Sequence, residues 1–246
     1  MKIVFVGPTV PDAAKIAGDA LAIRPPATQG DICRAVYDGA TAIGLIDGNF
    51  EYVAPVWHKE ILFALSQGVA VLGAASMGAL RAAECAPFGM VGIGDIFRQY
   101  IAGETADDSD VALLHAPEEL GHTALTVPLV NLRATVRHLT EQDILSASDA
   151  ADIEDAAANL FYKERTWSAI LARARFSPGT DPAALISTLR AGYVDQKRTD
   201  ALELLEVLQR MPVERGAPPQ GWKFNTTSLW AKMLSQLPAS NEKPEV

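Results

Sequence analysis

No apolar run in this chain approaches the ~20 residues that a membrane-spanning helix requires, so no membrane role is expected. Cysteine is nearly absent. Cys33 and Cys85 are the whole complement, and neither belongs to a CxxC pair or a Cys/His cluster with zinc spacing. Two distant thiols fit a reducing, cytoplasmic setting. Basic residues are also short: 21 Lys and Arg face 30 Asp and Glu, for a net charge of −9. That balance excludes a general nucleic-acid binder, which needs a basic stripe to displace counterions. GxGxxG and Walker glycine patterns are missing, and the acidic run Glu104–Asp110 lacks EF-hand spacing. The opening MKIVFVGP holds too short an apolar run for a signal peptide and reads directly as a strand.

What remains is an ordinary globular composition, 49% hydrophobic over 246 residues, enough for a sizeable core. Lys2–Val6, Ala20–Ile23, Thr41–Ile46, Val69–Gly73 and Val111–His115 read as strands. Pro11–Gly18, Gly30–Asp38, Pro55–Gln67 and Met77–Cys85 read as helices between them. Unbroken apolar runs suit parallel strands covered on both faces, and β/α alternation predicts a parallel sheet flanked by helices. From Pro128 the pattern is helical: Pro128–Leu139, Glu141–Tyr162, Lys163–Ala174, Pro182–Ala191, Asp195–Arg210 and Thr227–Leu237. The expected class is α/β. Residues 1–120 form a parallel-sheet βα part with the candidate site. Residues 121–246 form a helical part packed on it, with a frayed polar tail near 239–246.

The chemistry concentrates in VAVLGAASMGALRAAEC, Val69–Cys85. Ala74-Ala75-Ser76-Met77-Gly78 has the spacing of a nucleophile elbow with its first glycine replaced by alanine. Two readings stand side by side. Ser76 is a nucleophile at a strand-to-helix turn, or it is a simple helix N-cap. In the first, the Met77 and Gly78 N–H groups at the helix start serve an oxyanion, and the small residues from Gly73 onward leave a narrow channel. The base is then expected to be Lys59, in the first turn of the helix after Thr41–Ile46. Consecutive βα units share the carboxyl edge of a parallel sheet, where ligands bind. The positive field at a helix start also favours a neutral lysine. A solvated lysine is the plainer alternative. His58 on the same helix is a core or a site histidine. Asp47 and Glu51 follow the strand and can orient Lys59 or a ligand. Arg81 and Glu84 form an exposed i,i+3 pair, or Arg81 binds a carboxylate. Asp195 reads as a cap with Lys197-Arg198 on the surface, yet Lys197 is a second lysine that folding can bring to Ser76.

At these residues the chain resembles the TfuA-like family, proteins that accompany YcaO enzymes in peptide backbone thioamidation. The matching segments include PPATQGDI at 25–32, AIGLIDGNFE at 42–51, VWHKEIL at 56–62, GAASMGALRAAEC at 73–85, PLVNLRATV at 128–136, FYKERTW at 161–167 and VDQKRTDAL at 194–202. The resemblance implies hydrolysis of a thiocarboxylated ThiS-like sulfur carrier by a serine–lysine pair, releasing sulfide for the YcaO partner. It implies no metal or organic cofactor, ATP belonging to that partner, and a fold that is only locally Rossmann-like. Ser76 matches the serine. Lys59 is taken as the lysine and Lys197 as the alternative. A rival reading is a non-catalytic adaptor that activates a YcaO-type enzyme and recruits its peptide. Another is an unrelated esterase in which His115, His122 or His138 approaches Ser76. A homo-oligomer stays open.

Overall fold

A computed structural model describes residues 1–49, 52–105, 107–176 and 181–236. Glu51 and the tail expected at 239–246 lie outside the described residues. Strands β1 (Lys2–Phe5), β2 (Ala22–Arg24), β3 (Ala42–Leu45), β4 (Ala70–Ala74) and β5 (Val91–Ile93) form one sheet in the order β2-β1-β3-β4-β5. Every neighbouring pair is parallel. This is a doubly wound order, and it reverses between β1 and β3.

The apolar runs divide by the strand period of two. Ile3 and Phe5 of β1 face helices α2 (Asp31–Tyr37), α3 (His58–Ser66) and α4 (Met77–Cys85), which bring Ile32, Val36, Ile61 and Ala82 to that side. Val4 and Val6 face α1 (Ala13–Ala17) and α10 (Gln196–Arg210), the latter through Leu204, Leu205 and Leu208. Gly44 of β3 lets α10 close on the sheet: a Cβ there would overlap the Leu204 and Leu208 side chains. Each of these buried leucines contributes ~1.5–3 kcal/mol. A helix from the carboxyl-terminal part thus completes the core of the amino-terminal part.

The fifth strand differs from expectation. Val111–His115 is not a sheet strand. It runs as irregular backbone with one antiparallel bridge, His115 to Ala124. The edge strand is instead Val91–Ile93, only three residues long, with Gly92 at its centre beneath the Phe97 ring of α5 (Asp95–Ala102). Helices α6 (Leu129–Glu141), α7 (Ala147–Ala158), α8 (Trp167–Arg173) and α9 (Pro182–Ala191) share a separate apolar cluster around Leu132, Val136, Ile153, Ile170 and Leu189. Helix α11 (Ser228–Gln236) returns to the sheet side, where Trp230 is buried against Cys33, Trp57 and Phe63. Both cysteines are free and buried.

Candidate active site

The turn from β4 into α4 is tight. Ser76 N–H donates back to Ala74 O at 2.8 Å, and Ala75 between them sits at φ +68°, a region that side-chain-bearing residues seldom occupy. Two glycines make the turn possible. A Cβ on Gly73 would overlap the Gly78 carbonyl, and a Cβ on Gly78 would overlap the Leu45 carbonyl of β3. Their smallness serves backbone packing. Gly78 N–H donates to Ile46 O at 3.1 Å, so it is not free for an oxyanion. Of the two expected donors, Met77 N–H alone has no protein partner among the described residues. Ser76 holds the N-cap position of α4, but its side chain makes no capping hydrogen bond. The cap reading therefore lacks the bond that defines it.

The Ser76 side borders a cleft of about 240 Å³ at the carboxyl edge of the sheet. Its walls include Pro8 after β1, Asp47 after β3, His115, Tyr162 and Lys197. This is the place where the strand order reverses and where open α/β sheets bind ligands. Asp47 is buried and spans the reversal. Its Oδ2 accepts from the Gly7 and Thr9 amides at 2.9 and 3.0 Å, and its Oδ1 accepts from the Thr9 hydroxyl at 2.6 Å. It fixes the loop after β1 to the end of β3.

Lys197 is the second residue of α10 and only 3% exposed. Its Nζ donates to Val111 O at 2.8 Å. No hydrogen bond joins it to Ser76, although both line the cleft. Burial holds its pKa below the ordinary lysine value, and the Asp47 and Asp195 carboxylates oppose that shift without cancelling it. Its backbone is held too. Lys197 N–H donates to Asn131 Oδ1 at 3.0 Å, while Asn131 Nδ2 donates to Asp195 Oδ1 at 3.0 Å and Tyr193 Oη at 2.7 Å. Asp195 in turn caps α10 by accepting from Arg198 N–H.

Lys59 is placed elsewhere. Twelve residues, 46–57, separate β3 from α3, whereas two separate β4 from α4. Lys59 Nζ donates to Thr227 Oγ1 at 3.4 Å and lies 5.4 Å from the Phe224 ring centroid. It does not line the Ser76 cleft. His58, Arg81 and Glu84 come together, but also outside the cleft. His58 Nε2 and Arg81 both meet the Glu84 carboxylate, and Arg81 Nε donates to Val56 O at 3.2 Å. Asn131, Tyr162 and Lys163 have site or supporting positions that residue patterns did not single out. Lys163 Nζ reaches Tyr52 Oη at 3.3 Å across the cleft wall. The aromatic-basic run Phe161-Tyr162-Lys163 was the only local signal for the last two.

A buried lysine and an uncommitted serine hydroxyl on one cleft, with an unpartnered amide on the residue after the serine, can support acyl transfer through a covalent serine. No group of three or more His, Cys, Asp or Glu side chains is placed to hold a metal among the described residues. No curated protein matches the chain significantly. The family model described as TfuA-like protein matches residues 47–166, a segment that carries Asp47, Ser76, His115 and Asn131, and stops short of Lys197. That match assigns residues 47–166 of the chain to the TfuA-like family.

Proposed function

We propose that the cleft is a hydrolase centre that acts on the C-terminal thiocarboxylate of a ThiS-like sulfur carrier, with Ser76 as nucleophile and Lys197, rather than Lys59, as base. The released sulfide feeds a YcaO-type partner in peptide backbone thioamidation. The observation that carries the reading is the meeting of Ser76 and buried Lys197 on one cleft at the sheet's reversal point. Burial favours the neutral amine that a base requires.

The chemistry balances without a cofactor. Lys197 Nζ takes the Ser76 proton as Oγ attacks the thiocarboxylate carbon. The Met77 amide faces the developing oxyanion. The C–S bond breaks, Lys197 returns the proton to sulfur, and hydrosulfide leaves an acyl-Ser76 ester. Water then clears the ester as a carboxylate.

Sulfide release from a thiocarboxylated carrier tests this directly. Ser76→Ala and Lys197→Ala are expected to abolish it, with Lys59→Ala near wild type. Wild-type release from folded Ser76→Ala would end the hydrolase reading and leave the adaptor role, scored by activation of the YcaO partner.

A further inference from the structure

The acyl-Ser76 ester must still be hydrolysed, and this half-reaction has a proton to dispose of. Water supplies its oxygen to the product carboxylate. One of its protons restores the Ser76 hydroxyl, and the other has to leave the cleft. Lys197, sealed at 3% exposure, is poorly placed to exchange protons with solvent.

His115 lies on the same cleft wall and is half-buried. Its Nδ1 lies 2.8 Å from Ala116 O. A carbonyl oxygen only accepts, so Nδ1 carries the hydrogen, and in the neutral ring Nε2 is the unprotonated nitrogen. The ring is also held in place. It stacks edge-on against His122 at 5.3 Å, and the backbone bridges His115 to Ala124. Ala116 N–H donates to Thr123 O, and Leu114 N–H donates to Thr126 Oγ1. The other titratable side chains on this cleft are Asp47, Tyr52, Tyr162, Lys163 and Lys197. No carboxylate holds Nδ1, so this is not the Ser-His-Asp arrangement of an esterase.

We propose that His115 is a second acid–base residue of this cleft: its Nε2 takes a proton from the water that attacks acyl-Ser76 and passes it to solvent. The proposal rests on the reading of Ser76 as nucleophile. As water attacks, the C–Oγ bond breaks. One water proton goes to Nε2 and on to solvent, and the second reaches Oγ through Lys197. Neutral His115 and Ser76 are both regenerated. Lys197 then governs acylation and His115 governs deacylation.

Rapid mixing with a ThiS-like carrier ending in a Gly-Gly thiocarboxylate separates the halves. In His115→Asn, whose amide can still donate to Ala116 O, a stoichiometric sulfide burst is expected to survive. Turnover after it should fall about a hundredfold or more, with acylated Ser76 visible by intact mass. His115→Gln should behave likewise, and added imidazole should restore turnover. Wild-type turnover in both variants would overturn the proposal. So would equal loss of burst and turnover in variants that melt like wild type. Wild-type release by Ser76→Ala is a separate result, because it removes the nucleophile itself.

Discussion

Lys59 and Lys197 each occupy the second position of a helix, α3 and α10, and both helix starts carry the same partial positive field. Their surroundings differ. Lys59 stays half-exposed and reaches Thr227 and Phe224. Lys197 is enclosed, bonded to Val111 O, and lines the cleft. The helix-start field is therefore not what separates them. Desolvation is, because it lowers an ammonium pKa far more than a partial charge a few ångströms away. The side chains that come next sharpen the contrast. At the start of α10, Asn131 and Asp195 hold the backbone around the buried amine. At the start of α3 the buried group is the carboxyl of Glu60, which accepts from the Gly30 and Trp57 amides at 2.7 and 3.2 Å.

The largest expected effect sits on Lys197. Replacement by alanine should lower sulfide release by about 10²–10⁴-fold, the range for losing a general base. The comparison breaks if Lys59→Ala does the same and Lys197→Ala does not. Because the Lys197 pKa is lowered, kcat/KM should rise with pH along a limb centred below the ordinary lysine value of 10.5. In stability the same sign holds: the folded state binds fewer protons than the unfolded one between the two pKa values. Lys197→Met should remove that rise, measured by urea unfolding at alkaline pH.

Glu60 runs the other way. Burial pushes its carboxyl up to about 7, against the opposing pull of the Gly30 and Trp57 amides. The folded pKa lies above the unfolded one, so this contribution is full below about pH 4.3 and is lost as pH rises through 7. The loss is at most about 4 kcal/mol. Glu60→Gln should flatten the difference in unfolding free energy between pH 5 and pH 8. Asn131→Ala comes next. It strands the Lys197 amide and should cost about 1–3 kcal/mol, with a lowered kcat and little change in KM. Lys59→Ala is smallest: its contact with Phe224 is worth about 0.5–1 kcal/mol in thermal stability.

Much of the fold was legible from local pattern. β3 and β4 are continuous apolar runs, β1 is apolar after Lys2, and Pro182–Ala191 begins and ends where its proline and following glycine indicate. The edge strand was not, because three residues around Gly92 carry no periodic signal. The run Val111–His115 misled for the opposite reason. It is apolar because it walls the cleft and packs under α6, not because it pairs in the sheet. Ser76 announced itself through its crowded glycines. Lys197 was legible only as an alternative lysine, since Asp-Gln-Lys-Arg reads as a solvated helix start. Its burial comes from Asn131 and Val111, 66 and 86 residues away in sequence. No window on the chain holds those contacts.

The position of α10 also sets an order in time. Ser76 and its strained turn are synthesised well before Lys197, and the family-matched segment ends before α10 begins. At ~5–20 residues per second, the ribosome makes the cleft's serine wall several seconds before its buried amine and sheet cover exist. A nascent or truncated chain ending near residue 166 would expose the Val4, Ile46 and Leu72 face that α10 covers. It would also lack the Lys197 amine that shares the cleft with Ser76. The last long helix to emerge therefore closes the core and brings the buried amine to the cleft in the same step.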